Sequence, residues 1–414
     1  MRPVARTALR AAVLFAELAL LAVLVWFIQL RVGWIAIPDE APLAVELYDP
    51  DYSEAGIGAA RLLAQMRSRT GVPGASAAVS IDGRPVWAAG VGFADIETLA
   101  PVTPQTSFRI GSTSKAITAT VLARLVAAGT LSLDDTVATH WPDPLNPNWG
   151  KLTIRRLMSH TAGLPGYENN TDLKGLIGSL LMVRRYDSVE AGLSLVDGSR
   201  LLDEPGEGFY YSSFDVNLAA RTAEAATGLS YQELLTELVT GPLGLETPYL
   251  ADRGDRPSFE ASWHQIRSGR VRQHPHTDVS QRWPSGGLAA RSKDLVRIAG
   301  AWLDEDFLPR AVVEEFWIPV RLNDGTVNEQ NYAIGWRNDQ STTRFGPAVA
   351  VRLLHHGGVS RGAMSWLALY PDLGIAVAVN INAETPDFAD FASVEPQIMG
   401  LFARAAGRAP ESSS

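Results

Sequence analysis

The chain contains no cysteine, and of its 36 basic residues only four, Lys115, Lys151, Lys174 and Lys293, are lysines. The missing cysteine excludes a disulfide framework, a thiolate metal site, a cysteine nucleophile and a lipidated N-terminal cysteine. It leaves an oxidising compartment open. A net charge of -9 gives no support for nucleic-acid binding, so no nucleic-acid partner is expected. The scarcity of lysine also makes a chance Ser-x-x-Lys uncommon. Only Ser112 stands three residues before a lysine, in the stretch FRIGSTSKAITATVLARL from Phe108 to Leu125.

Within that stretch Ile117, Val121, Leu122 and Leu125 recur at helical separations, which predicts a buried helix opening at Ser112. Three residues are just under one turn, so Lys115 falls on the face of Ser112 and its amine can reach the hydroxyl. A serine hydroxyl needs a neighbour to take its proton as it attacks a carbonyl. Lysine can do so when neutral, and burial lowers its pKa. On these four residues alone the alternative stays open: Ser112 as a helix cap and Lys115 as a surface charge.

Hydrophobic residues make up 46% of the 414, enough for a sizeable core in one large domain with an insertion, or in two domains. Residues 11–30, AAVLFAELALLAVLVWFIQL, form an apolar run broken by Glu17 and Gln29, long enough to cross a bilayer. Arg2, Arg6 and Arg10 precede it, which places the N-terminus in the cytoplasm and the chain after Trp34 outside. The run is longer than a signal-peptide core and no small-x-small cleavage site follows, favouring a retained anchor over a cleaved signal. The expected location is therefore a bacterial inner membrane, single-pass, with the remainder in the periplasm or outside.

Four regions are expected: an anchor at 1–34, a Pro-rich linker at 35–54, a domain at 55–408 and a disordered tail at 409–414. Ile57, Ala60, Leu63 and Met66 predict a helix ending near Gly71, and Asp82-Gly83 between two apolar runs predicts a hairpin. From about 115 to 280 the pattern turns to helices and loops. Strand signals return at Ala348–Leu354, Ala363–Tyr370 and Ile375–Ile381, the last apolar at nearly every position as in a strand covered on both faces. A closing helix follows Pro386, kinked or delayed by Pro396. The fold class is α+β: an antiparallel sheet built from both ends of the domain, flanked by helices, with an all-helical region inserted at the seam where an active site would form.

Two further pieces suit a serine nucleophile. PGEGFYYSS places Tyr211 two residues before Ser213, and HHGG spans His355 to Gly358. A tyrosine beside a lysine ammonium ionises more readily and can act as a base, although most tyrosines are half-buried core aromatics. Gly357 and Gly358 let a substrate approach the strand, or simply end it in a turn. His274 and His276 lack matching carboxylates and read as loop residues.

The order Ser-x-x-Lys, Tyr-x-(Asn), His-x-Gly resembles the serine beta-lactamase-related hydrolases: class C beta-lactamases, D-alanyl-D-alanine carboxypeptidases, family VIII esterases and D-aminopeptidases. The likeness extends over about residues 55–405, through VPGASAAVSIDGRPVWAAGVGFAD, LTIRRLMSHTAGLPGY, PSGGLAARSKDLVRIAGAWL, YAIGW and LALYPDLGIAVAVNIN. It implies a beta-lactamase/transpeptidase-like fold and hydrolysis of a small ester, amide or peptide through an acyl-enzyme, without metal or cofactor. Ser112 is then the nucleophile, Lys115 its proton acceptor and Tyr211 the general base. The backbone N–H groups of Ser112 and Val359 form the oxyanion hole, and Ser213, His356 and Gly358 bind substrate. A register starting at His355 is the alternative for the last motif. His160, in LMSHTAGLP, is expected as a satisfied loop histidine near the site, and Trp283–Leu288 as a cleft wall.

The chain departs from that pattern twice. Ser213 replaces an amide that both donates and accepts, and His356 carries charge only below about 6.5. Both tilt the expectation towards esterase activity. The alternatives are D-Ala carboxypeptidase or beta-lactamase activity, and a penicillin-binding-like protein without turnover.

Overall fold

The computed structural model describes residues 13–21, 23–24, 32–254, 256–341, 345 and 349–409. Residues 13–21 and 23–24 are helical, while the rest of the expected anchor at 11–30 lies outside the described residues. Among the described residues no helix is long and apolar enough to cross a membrane. The tail from Pro410 also lies outside them.

Seven strands form the main path of a central antiparallel sheet: β1 (Leu43–Leu47), β2 (Gly74–Ile81), β3 (Arg84–Asp95), β4 (Arg337–Ser341), β5 (Val351–Ser360), β6 (Ala363–Tyr370) and β7 (Ile375–Ile381). Their spatial order is β4-β5-β6-β7-β2-β3-β1, with the two-residue strand Ala100–Pro101 pairing on β3. The early hairpin and the late strands join where β7 pairs with β2, Val377 opposite Val79. Both are buried along their whole length, which is why their sequences run apolar or small without alternation. One face carries the helices α1 (Ser53–Thr70) and, from the C-terminal end, Glu395–Ala405, with Trp87 of β3 against Phe402 at 5.8 Å. On the other face pack Ser292–Ala301 and the region between early and late strands, including α2 (Ser114–Ala127) and α4 (Ser213–Thr227), with α3 (Leu173–Leu181) between these two in the chain. Each fully buried Leu or Ile in these layers contributes about 1.5–3 kcal/mol relative to exposure. Pro396 sits in the first turn of its helix, where its missing N–H costs nothing, so it starts the helix rather than kinking it.

Three expectations are corrected. Residues 35–54 are not a free linker: Leu43–Leu47 completes the sheet edge on β3, and Ile35–Ala36 pairs with Arg270 and Val271. The inserted region is not all-helical, because Tyr249–Leu250, His264–Arg267 and Arg270–Gln273 are strands in two small three-stranded sheets. These strands are too short for periodicity to reveal. The strand expected at Ala348–Leu354 begins at Val351 and runs through HHGG to Ser360, so those glycines lie inside β5 instead of ending it.

Candidate active site

The nucleophile turn is built at the seam. Gly111–Thr113 is one 3₁₀ turn, and α2 starts at Ser114, slightly later than its apolar pattern suggested. Gly111 has φ +50°, and a Cβ there would lie 2.5 Å from the carbonyl oxygen of Val359. A Cβ on Gly358 would lie 1.8 Å from the carbonyl oxygen of Ile110. Two glycines therefore let β5 press its backbone onto the turn carrying Ser112. They bring the main chains at Ser112 and Val359 together, and Gly358 serves this chain-to-chain contact and not a substrate contact.

Lys115 is fully buried, and its Nζ lies 3.1 Å from Ser112 Oγ, 3.3 Å from Ser213 Oγ and 2.8 Å from the Ser285 carbonyl oxygen. Burial holds the amine well below the ordinary lysine value, and the charges of Arg282 and Arg337 push the same way. A neutral amine donates two hydrogen bonds and accepts one. Ser285 can only accept, so with Ser213 taking the second hydrogen the lone pair is left facing the Ser112 hydroxyl. Ser213 thus holds the lysine and is itself buried, which removes it from the groove where it was expected to touch substrate. The Trp283–Leu288 stretch likewise serves the lysine through the Ser285 carbonyl, and Pro284 accepts from Thr118 of α2.

Tyr211 is brought to the same point. Its ring lies 4.8 Å from Lys115 Nζ, and its hydroxyl is near Ser112. Burial pushes the phenol up to about 12, and the neighbouring Ser112 hydroxyl only partly offsets this. The expectation of a readily formed phenolate is not favoured by this setting, because burial raises the phenol and at the same time lowers the amine whose charge would stabilise the anion.

Behind Tyr211 the fold closes over a dry layer. His160 has φ +60°, is fully buried, and its ring lies 4.3 Å from that of Tyr211. Its Nδ1 meets buried Asp215 of α4 at 3.0 Å and also receives the Ser212 backbone N–H at 3.3 Å. A main-chain N–H can only donate, which favours Nδ1 as an acceptor. Burial drives both groups towards their uncharged forms, lifting the Asp215 carboxyl and lowering His160. His160 is thus near the site as expected, but its Nε2 has no hydrogen-bond partner among the described residues.

His356 belongs to this layer too. It is fully buried, with Nε2 2.7 Å from the Tyr332 hydroxyl and Nδ1 2.7 Å from the Gly357 carbonyl oxygen. Burial first, then the charges of Arg337 and Lys115, hold it well below 6.5. It does not reach the groove, which corrects its assignment as a substrate-binding residue. The groove, of about 370 Å³, is lined by Ser112, Tyr211, Arg337, His355, Val359 and Trp366, among others. Strand alternation puts His355, Gly357 and Val359 on that side and His356 and Gly358 beneath. Arg337, at the start of β4, sets its guanidinium 5.7 Å from the Tyr211 ring centre while holding Gln330. His355 Nε2 meets Asp339 at 2.7 Å. Sequence reasoning missed Arg337 although it directly follows YAIGW; only the pairing of β4 with β5 brings it beside the serine.

The Beta-lactamase family model matches residues 59–394, most of the chain. The chain belongs to the beta-lactamase family. Serine beta-lactamase-like protein LACTB, mitochondrial, from Homo sapiens is 24% identical over 392 residues, covering 75% of this chain and 71% of that one. Protein flp from Staphylococcus aureus strain MW2 is 24% identical over 321 residues, 76% of this chain and 60% of that one. Among solved structures, SurE superposes with a TM-score of 0.63 at 26% identity, over 86% of this chain and 76% of that one. D-amino acid amidase from Ochrobactrum anthropi SV3 superposes at 0.69 with 21% identity, over 86% of this chain and 99% of that one, a likeness of fold. This beta-lactamase-family chain is a serine hydrolase, the class that its resemblance over about residues 55–405 had implied.

Proposed function

We propose that the protein is a membrane-tethered serine hydrolase that opens a small ester or amide through an acyl-enzyme on Ser112, esters being turned over faster than amides or β-lactams. The observation that carries this reading is the desolvated Lys115 amine 3.1 Å from Ser112 Oγ, beside an un-ionised Tyr211. As Oγ bonds to the substrate carbonyl carbon, its proton passes to Lys115. The oxyanion faces the backbone N–H groups of Ser112 and Val359. The lysine proton then reaches the departing oxygen or nitrogen, with Tyr211 donating to the same atom, and the bond to the leaving group breaks. Water repeats the sequence and frees Ser112. An amine must be protonated before it departs, and Ser213 turns its hydroxyl to the lysine and offers the groove no amide, so an alcohol is the easier leaving group.

Arg337 favours a second reading in which the substrate carries a carboxylate, as in a D-amino-acid peptide. It supplies the fixed cation that His356 does not. The tether rests on the apolar run 11–30 after Arg2, Arg6 and Arg10, with the hydrolase domain, about 55–408, outside the cytoplasm. A fluorophosphonate probe tests the core of the proposal: labelling abolished in Ser112→Ala supports it, and an unlabelled wild type points to a binding protein without turnover. Comparing a short ester, a cephalosporin and a D-alanyl peptide ranks the substrates. Alkaline carbonate extraction of membranes tests the tether, which fails if the chain is released.

A further inference from the structure

The helix α3 has its two sides reversed. Gly175 and Gly178 form the side that packs inward, where a Cβ on Gly175 would lie 1.7 Å from the Leu195 carbonyl oxygen and one on Gly178 would lie 2.6 Å from the Leu195 side chain. The apolar side chains point the other way: Leu173, Leu176, Ile177, Leu180, Leu181 and the following Val183 are 40–72% exposed. A surface helix ordinarily buries such residues and exposes its polar ones. An apolar area of this kind beside a pocket marks a binding surface.

What it adjoins is the reaction groove. Leu176, Leu180 and Met182 line a cavity of about 340 Å³ whose opposite wall includes Tyr167 and Val359. Val359, 47% exposed, also lines the groove containing Ser112, so the two spaces share a wall residue. Arg361 donates to the Leu180 carbonyl at 2.9 Å and pins the end of α3 to the β5–β6 turn. Charged residues at the cavity, Glu168, Arg282, Arg361 and Glu384, comprise two acids and two bases and give its rim no dominant sign.

We infer that the trough between α3 and Val359 is an acyl-chain subsite, so that the substrate is a carboxylic ester with a medium or long apolar acyl chain. This rests on the proposed acyl-enzyme. With the carbonyl oxygen at the Ser112 and Val359 N–H groups, the leaving alcohol must lie towards Lys115, Tyr211 and Arg337. The acyl chain then departs on the Val359 side, where the apolar trough begins. It covers the leucines of α3 that the fold leaves in water.

The test is the chain-length profile of the purified full chain in nonionic detergent, with p-nitrophenyl esters from acetate to decanoate. The expected kcat/KM rises about two-fold per added methylene up to at least octanoate, a partial burial of each group. Leu176→Gln with Leu180→Gln lowers the octanoate-to-acetate ratio about ten-fold. Val359→Trp, which narrows the passage without touching α3, lowers it as well. Leu173→Gln with Val183→Gln, outside the cavity lining, changes the ratio less than two-fold. A flat wild-type profile overturns the subsite, as does an equal fall in the outer-face variant. A change of oligomeric state in Leu176→Gln/Leu180→Gln, read by light scattering, would assign the leucines to a second copy and also overturn it. Fluorophosphonate labelling separates the two levels: labelled Ser112 with a flat profile removes only the subsite, whereas no labelling removes the acyl-enzyme and the subsite with it.

Discussion

Tyr211 divides the site into two halves with opposite electrostatics. Behind it lie Lys115, His160, Asp215, Tyr332 and His356, all buried completely, and burial moves every one of them towards its uncharged form. In front lie Arg337 and Asp339, both partly exposed, with His355 buried beside them, and Asp339 is held below the ordinary carboxylate value first by its hydrogen bond to His355. Both halves contain a histidine next to an aspartate at 3.0 Å or less. Around His160 burial pushes both members towards their uncharged forms, whereas at the rim Asp339 is pushed towards its charged form. The lesson is that residue identity does not set protonation here; hydration does. Bond making is assigned to the dry half and recognition to the wet half.

The strongest way to break this division is Ser112→Ala, expected to lower kcat at least about 10⁴-fold with the fold intact, as checked by turnover and circular dichroism. Next is Lys115→Met, expected to cost about 10³-fold or more in kcat. Its stability effect has the opposite sign. A lysine whose folded pKa is lowered binds its proton more weakly when folded, so the penalty is absent above the unfolded value of about 10.4 and grows as pH falls towards the folded one. Removing the amine should therefore raise Tm by about 2 °C at pH 7, and by less at pH 10, in calorimetry. The same lowering predicts that wild-type kcat/KM falls with one proton as pH drops through the Lys115 value. A profile that is flat on the acid side would show the lysine charged throughout.

Tyr211→Phe should lower kcat about 10²-fold with KM little changed, because the phenol donates only as the bond breaks. A loss confined to KM would return Tyr211 to substrate binding. Arg337→Met sharpens the front half: KM for a carboxylate-bearing substrate should rise about 10- to 100-fold, against less than three-fold for a neutral ester. The smallest effect belongs to Asp339→Asn. The Asp339 side chain is 37% exposed and solvent screens its charge, so stability should change by about 1 kcal/mol and turnover by less than two-fold. What it contributes is present above the unfolded aspartate value and disappears as pH falls through the lowered folded one.

The Ser112–Lys115 pair was legible because one turn of helix enforces its geometry whatever surrounds it, and a chain with four lysines makes the coincidence informative. The hairpin at Asp82-Gly83 and the strands Ala363–Tyr370 and Ile375–Ile381 were legible for the same reason, as local turn chemistry and unbroken apolar runs. His356 was misplaced because one residue of register separates the two faces of a strand, and HHGG offers no alternation to set it. Tyr211 was located by its neighbours in sequence, but its protonation was not, since burial is a property of the layers around it. Arg337 and the Leu173–Leu181 helix mark the same limit.

By itself the sequence determined the spacing of Ser112 and Lys115 and the antiparallel core, which follow from relations within a turn or a strand, and its resemblance over about residues 55–405 pointed to the family. Only the tertiary structure decided which groups are dry. Burial beneath the Ser112 turn pushes the Lys115 amine down and the Tyr211 phenol up, and the register of β5 turns His356 inward. It also sets Arg337 in the groove beside Ser112, from which it is remote in sequence and which only sheet pairing lets it reach.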